Sequence, residues 1–155
     1  MCSSDLEQRW AVIRRLCALG EWDAEQVEAE RLATPGVAAD LGALTALAAR
    51  PTPQAKADAW ALASAPDVDN RRFLAAMRGL WTAGQDDLVA PYVGRYLTEA
   101  PGWAARGQAF AKVVDLARPA LRPSPDDVAL LRRLLDGPLP TVLRRGWEDW
   151  SDDLG

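Results

Sequence analysis

The sequence predicts an all-α protein. Alanine, leucine and arginine dominate while β-branched residues are sparse, apolar positions recur with the 3.6-residue helical period, and Pro, Gly, Ser, Thr and Asp punctuate the chain at short intervals. At 155 residues, 49% hydrophobic and 26% charged, the chain is long enough to bury one core of ordinary size. Nine helices of about 10 to 15 residues joined by short turns predict antiparallel hairpins, stacked as a HEAT-like short α-solenoid or as an irregular helical array. Only the Thr52-Pro53 and Ser124-Pro125 starts look alike, so no fixed-period repeat signature chooses between the two.

The opening Met1 to Leu6 joins no pattern that follows it, and residues 1–8 are left unassigned ahead of a helical domain spanning 9–155. Trp10, Ile13, Leu16 and Cys17 form the first stripe, which Gly20 stops. Asp23 opens the second helix in capping-box form with Gln26, Val27 and Leu32 mark its buried side, and Thr34-Pro35-Gly36 ends it. Leu41, Leu44, Leu47 and Ala48 give the third stripe. Thr52 caps the fourth helix with Pro53 at its first position, and Trp60 lies on it.

Asp69 caps the clearest amphipathic segment, Asn70 to Trp81, where Phe73, Leu74, Met77, Leu80 and Trp81 share a face. Leu88, Val89, Tyr92, Val93, Tyr96 and Leu97 follow, with Pro91 demanding a first-turn position or a kink. Pro101-Gly102 separates this helix from a seventh that carries Trp103, Phe110, Val113, Val114 and Ala117. Ser124 and Pro125 start the eighth, whose core face is Leu131, Leu134 and Leu135. Leu139, Val142, Leu143, Trp147 and Trp150 mark the ninth.

Composition removes several functions. There is no histidine, which excludes the imidazole general base, the Ser/His/Asp and Cys/His constellations and every histidine-ligated metal. A net charge of -4 argues against nucleic acid, and no run approaches the roughly 18 apolar residues of a membrane span. Cys2 and Cys17 are too few for a disulfide framework, so a reducing, cytoplasmic setting is expected, with Cys17 a small buried hydrophobe. The acid pairs Asp86-Asp87, Asp126-Asp127 and Asp152-Asp153 read as helix capping rather than catalysis. The pairs Arg14-Arg15, Arg71-Arg72, Arg132-Arg133 and Arg144-Arg145 read as solvated or salt-bridged faces, with bidentate carboxylate binding as the functional alternative. Of seven tryptophans, Trp10, Trp60, Trp81 and Trp147 fall on apolar stripes, while Trp22, Trp103 and Trp150 are the surface candidates.

Three runs add a resemblance: Arg9-Trp10-Ala11-Val12-Ile13-Arg14-Arg15-Leu16, Ala46 through Trp60, and Leu88 through Leu97. Asn70, Phe73, Leu74 and the Met77 to Trp81 run fit with them, as does Val142-Leu143-Arg144-Arg145. In this order and spacing the set resembles the C-terminal helical domain of the aminopeptidase N family of zinc metallopeptidases in its actinobacterial form, the family that also contains the endoplasmic reticulum aminopeptidases. The resemblance implies a HEAT-like domain that packs over a separate catalytic domain of the same polypeptide and closes a chamber around a peptide substrate. Zinc is then expected in that catalytic domain and not in this chain, which has neither the H-E-x-x-H nor the G-A-M-E-N-type motif. The chain is expected to be inactive alone, a fragment lacking the catalytic portion before Arg9. Arg71, Arg72, Arg78 and Trp81 are the nominated chamber-facing, substrate-binding residues. The competing expectation is a free-standing helical scaffold that binds a protein partner.

Overall fold

A computed structural model describes residues 3–155, with no strand among them. Their nine helices are α1 (Ser3–Ala18), α2 (Ala24–Ala33), α3 (Val37–Ala49), α4 (Pro53–Ala63), α5 (Asn70–Leu80), α6 (Asp86–Ala104), α7 (Gln108–Leu116), α8 (Pro125–Leu135) and α9 (Thr141–Asp153). The chain divides into two compact units, Met1–Leu88 and Val89–Gly155. Cys2 lies outside the described residues.

In the first unit α3 is the central element, packed against α1, α2, α4 and α5. Local chemistry sets the helix ends. Gly20, at a φ of 77°, closes α1 in a left-handed turn in which the Gly20 and Glu21 N–H groups donate to the Cys17 and Leu16 carbonyls at 3.0 and 2.8 Å. Asp23 and Gln26 form the reciprocal capping box that starts α2, and Thr52 and Asp69 cap α4 and α5 with side-chain oxygens. α1 reaches back to Ser3, through residues that carry no apolar pattern of their own, and Leu6 packs against the core there.

The core of this unit is made of alanine more than leucine. Ala39, Ala43, Ala46, Ala48 and Ala49 are the buried residues of α3, whereas Leu41, Leu44 and Leu47 are only half-buried. Small side chains let three helices approach closely. A methyl group at Gly42 would sit 2.6 Å from the Trp10 ring of α1. On the opposite flank, one at Gly79 of α5 would collide with the Thr45 carbonyl and lie 2.6 Å from the Ala48 Cβ. Thr45 Oγ1 crosses the same contact to donate to the Ala75 carbonyl at 2.9 Å. Leu32, expected on the buried side of α2, is 62% exposed, and Val27 alone anchors that helix in the core. Cys17 is fully buried among Trp10, Ile13 and Ala43.

In the second unit α9 packs against α7 and α8. Ser124 and Asp127 form a capping box at the start of α8, with Pro125 in its first turn. The expected break at Pro101-Gly102 does not occur: α6 continues to Ala104 and carries Trp103 as its own residue. Pro91 and Pro101 each remove one backbone donor, and the helix tolerates this because Pro91 lies on its exposed side and Pro101 falls in its last turn. Tyr96 centres an aromatic cluster with Trp103, Trp147 and Trp150, at ring separations of 6.5, 5.8 and 6.3 Å. Trp150, expected at the surface, is therefore buried, and Trp103 is half-buried. The Tyr96 hydroxyl donates to the Val114 carbonyl at 2.7 Å and accepts from Trp147 Nε1, which joins α6, α7 and α9.

The close approach of α3 and α5 generates a paired prediction. Gly79→Ala is expected to destabilise the protein by about 2 kcal/mol or more through overpacking. Gly102→Ala, where a methyl group meets nothing within 4 Å, is expected to be neutral or stabilising by up to about 1 kcal/mol through helix propensity. Urea denaturation midpoints of the two variants check both signs.

Candidate functional site

Arg71 and Arg72 occupy the first turn of α5, directly after the Asp69 cap, whose carboxylate accepts from the Arg72 N–H at 2.8 Å. Both side chains are exposed and neither takes part in an ion pair among the described residues. They line a concavity of about 500 Å³ together with Val37, Asp40 and Leu41 of α3 and with Asp69 and Asn70 at the start of α5. A second concavity, of about 370 Å³, shares Arg72 and Asp40 and extends along α3 over Leu44 and Leu47. The leucines that were expected in the core thus form the floor of a surface groove. Arg31 stands at the rim, tied to Glu28 and, at 3.0 Å, to Asp40.

α5 has two arginines and no acid in its first turn, where the helix dipole favours anions. The two guanidinium groups can pair with a carboxylate above an apolar floor suited to a side chain, while the Asp69 carboxylate already takes up the cap position of the helix and Asp40 lines the same concavity. Arg78 is also exposed but sits at the other end of α5, and Trp81, at the C-cap, is buried with 7% exposure. The structure brings Arg71 and Arg72 together and leaves Arg78 and Trp81 apart from them. Another concavity, of about 640 Å³, lies elsewhere, between Pro51 and Gly84 to Leu88. Asp86 and Asp87 line it with no arginine or lysine beside them, unlike the α3–α5 concavity.

A second group of cations lies at the C-terminal edge of α1, α3 and α5. Lys56 of α4 is fully buried, and its Nζ donates to the Ala48 carbonyl at 2.6 Å and the Gly79 carbonyl at 3.3 Å. Gln85 Nε2 donates to the carbonyls of Ala18 and Ala49 at 3.3 and 2.9 Å, and Arg14 donates to the Arg78 carbonyl at 2.9 Å. Burial pushes the Lys56 pKa down to about 8, with Arg14 and Arg50 adding repulsion. Burial, and then Arg78, also holds Arg14 below its ordinary value. Sequence reasoning passed over Lys56, although Lys56, Ala59, Trp60 and Ala63 at i, i+3, i+4 and i+7 place it on the buried face of α4.

The chain matches the ERAP1-like C-terminal domain family over residues 3–154. It belongs to that family. Aminopeptidase N of Streptomyces lividans is 34% identical over 125 residues, which cover 79% of this chain and 15% of the relative. The chain thus spans a small part of the length of the curated relative it matches. The family match takes in nearly the whole of both units, including Ser3 to Gln8 ahead of Arg9. With no histidine in the sequence, and no three Cys, Asp or Glu side chains gathered as a ligand set among the described residues, this chain's residues do not fit a zinc centre. No helix among them is long and apolar enough to cross a membrane.

Lys56 gives the edge a measurable signature. Its folded-state pKa lies below the ordinary 10.5, so between pH 8 and 10.5 the unfolded chain binds the additional proton and stability rises with pH. The gain is expected to be on the order of 2–3 kcal/mol across the window. Cys17, whose thiol burial pushes up, acts in the opposite sense as pH rises, so the parent must be compared with Lys56→Met. Denaturant titrations at pH 7.5 and 10 should show a more positive pH dependence in the parent than in the variant.

Proposed function

We propose that this chain is the C-terminal helical domain of a zinc-dependent aminopeptidase that removes N-terminal residues from peptides. The domain packs over the catalytic domain of the same polypeptide, closes the peptide chamber and limits substrate access, and it is not catalytic alone. The observation that carries this reading is the family match over residues 3–154 in a chain without histidine. Zinc belongs to the catalytic domain, the enzyme is cytoplasmic, and the helices follow a HEAT-like arrangement.

In this reading the α3–α5 groove forms part of the chamber wall. Arg71 and Arg72 take the C-terminal carboxylate of the peptide, and Val37, Leu41 and Leu44 receive an apolar side chain next to it. Arg78, further along α5, offers a contact to a peptide that reaches past them, and Trp81 supports the wall from beneath. The chemistry asked of the chain is binding and orientation: it holds the far end of the peptide so that the free amine is presented elsewhere.

Two measurements test this. Hydrolysis of an alanine or leucine chromogenic amide, with added zinc, should be absent for this chain and present for a version extended upstream through a catalytic region. Silence of the extended form favours the free-standing scaffold. In the active form, Arg71→Ala with Arg72→Ala should raise KM for peptides by about 10-fold or more, the cost of hydrogen bonds to a charged group. KM for the chromogenic amide, which has no C-terminal carboxylate, should stay the same. Unchanged KM across peptides of different length would remove the assignment of these arginines.

A further inference from the structure

Three concavities follow one another along α3. The one beside Arg71 and Arg72 shares Asp40 and Arg72 with the next, and that one shares Leu44 and Leu47 with a third, of about 170 Å³, where α3, α4 and α5 meet. The third is a recess because each of the three helices brings alanine to the junction: Ala48 of α3, Ala55 and Ala59 of α4, and Ala76 of α5 are all buried there. Interiors are close-packed and seldom leave a space of this size. Leu44, Leu47 and Leu62, half-buried, form its sides. The two charged residues that line it are already engaged. Arg50 Nε donates to the Leu47 carbonyl at 3.0 Å, and the Asp58 carboxylate accepts from Gln54 at 2.7 Å. The recess is thus left to an apolar group. An apolar cavity of about 150 Å³ holds a benzene molecule, so a phenylalanine or leucine side chain fits here.

We infer that this recess is a side-chain subsite of the peptide groove, and that it reads an apolar residue three positions before the C-terminus of a bound peptide. The inference rests on the reading in which Arg71 and Arg72 take the terminal carboxylate. α3 and α5 run side by side in the same direction, since Thr45 Oγ1 reaches the Ala75 carbonyl and Gly79 lies against Thr45 and Ala48. The carboxylate end of the groove, at Leu41, and the recess, at Ala48, therefore lie about 10 Å apart along α3 at a rise of about 1.5 Å per residue. A peptide in the extended polyproline conformation advances about 9 Å in three residues and turns once, so its first and fourth side chains point the same way. A peptide anchored by its carboxylate beside Leu41 thus crosses Leu44 and Leu47 and brings the side chain three positions earlier to Ala48, Ala59 and Ala76.

Nine-residue peptides of Ser and Gly, labelled with fluorescein at the N-terminus and ending in Phe-Ser-Gly-Leu or Ser-Ser-Gly-Leu, test the subsite by fluorescence anisotropy against this chain. The Phe peptide should bind about 10-fold or more tightly than the Ser peptide. Moving the Phe one position toward either end should forfeit most of that gain. Ala59→Leu, which fills the recess, and Leu62→Gln, which makes its side polar, should each abolish the preference and keep the affinity of the Ser peptide. Leu62 is half-buried, so its variant serves even where Ala59→Leu does not fold. Equal binding of the Phe and Ser peptides overturns the inference, as does a preference that the folded variants retain, or no binding of either peptide at millimolar concentration. C-terminally amidated peptides separate the subsite from the carboxylate assignment. A loss of affinity on amidation without a preference for Phe overturns the subsite and leaves Arg71 and Arg72 standing, whereas equal binding of acid and amide overturns both. None of these readouts involves hydrolysis, so a silent extended form would sink the enzymatic reading without touching them.

Discussion

The C-termini of α1, α3 and α5 meet at one edge of the first unit, and the way their carbonyls are satisfied governs where the rest of that unit lies. A helix end carries a partial negative charge and carbonyls without intrahelical partners, so three ends side by side repel one another and cannot be buried bare. Lys56 bridges the ends of α3 and α5, Gln85 bridges α1 and α3, Thr82 adds a hydrogen bond to the Gly79 carbonyl at 2.6 Å, and Arg14 reaches across to Arg78. The partial charges of the ends stand in for a carboxylate beside Lys56. That explains how a fully buried ammonium group persists with only carbonyl partners, and why its pKa is nevertheless displaced.

This arrangement also accounts for the small-residue core. Donors of lysine and glutamine length reach two helix ends at once only if the helices lie close together, and closeness excludes leucine from the contact. Gly42 and Gly79 mark the two narrowest places, and the alanines of α3 fill the space between. The leucines of α3 are displaced to its flank, where they become the floor of the groove next to Arg72. Stability and the candidate site thus come from the same choice of residue size along one helix.

The parts of the fold legible in the sequence are those set by neighbours in the chain. The caps at Asp23, Thr52, Asp69 and Ser124 and the glycine stop at Gly20 were readable because each is a local hydrogen-bonding arrangement. Burial was less so. Periodicity assigned Leu41, Leu44 and Leu47 to the core by their hydrophobicity, but which stripe of α3 faces inward is decided by Trp10 and Gly79, distant in sequence. Pro101-Gly102 read as a break because each residue disfavours helix, yet Trp103 just beyond them packs against Tyr96 and tertiary contact outweighs propensity. Trp150 was misjudged in the same way, since it packs against Tyr96 of α6 as well as against Trp147 of its own helix.

These cations fall into three groups by what surrounds them. Lys56, Arg14 and Arg144 spend their donors on helix-end carbonyls, Arg144 on those of Leu135 and Gly137 behind α8, and so belong to the fold. Arg31 is held by two carboxylates. Arg71 and Arg72 differ, because they stand in the first turn of a helix, next to the Asp69 cap, and stay exposed there. The Asp69 carboxylate at the cap offsets part of their repulsion with the helix dipole, and under the proposed function a peptide carboxylate would offset more of it. Adjacent arginines were visible in the sequence, but their position relative to the Asp69 cap is what distinguishes them from the chain's other arginine pairs.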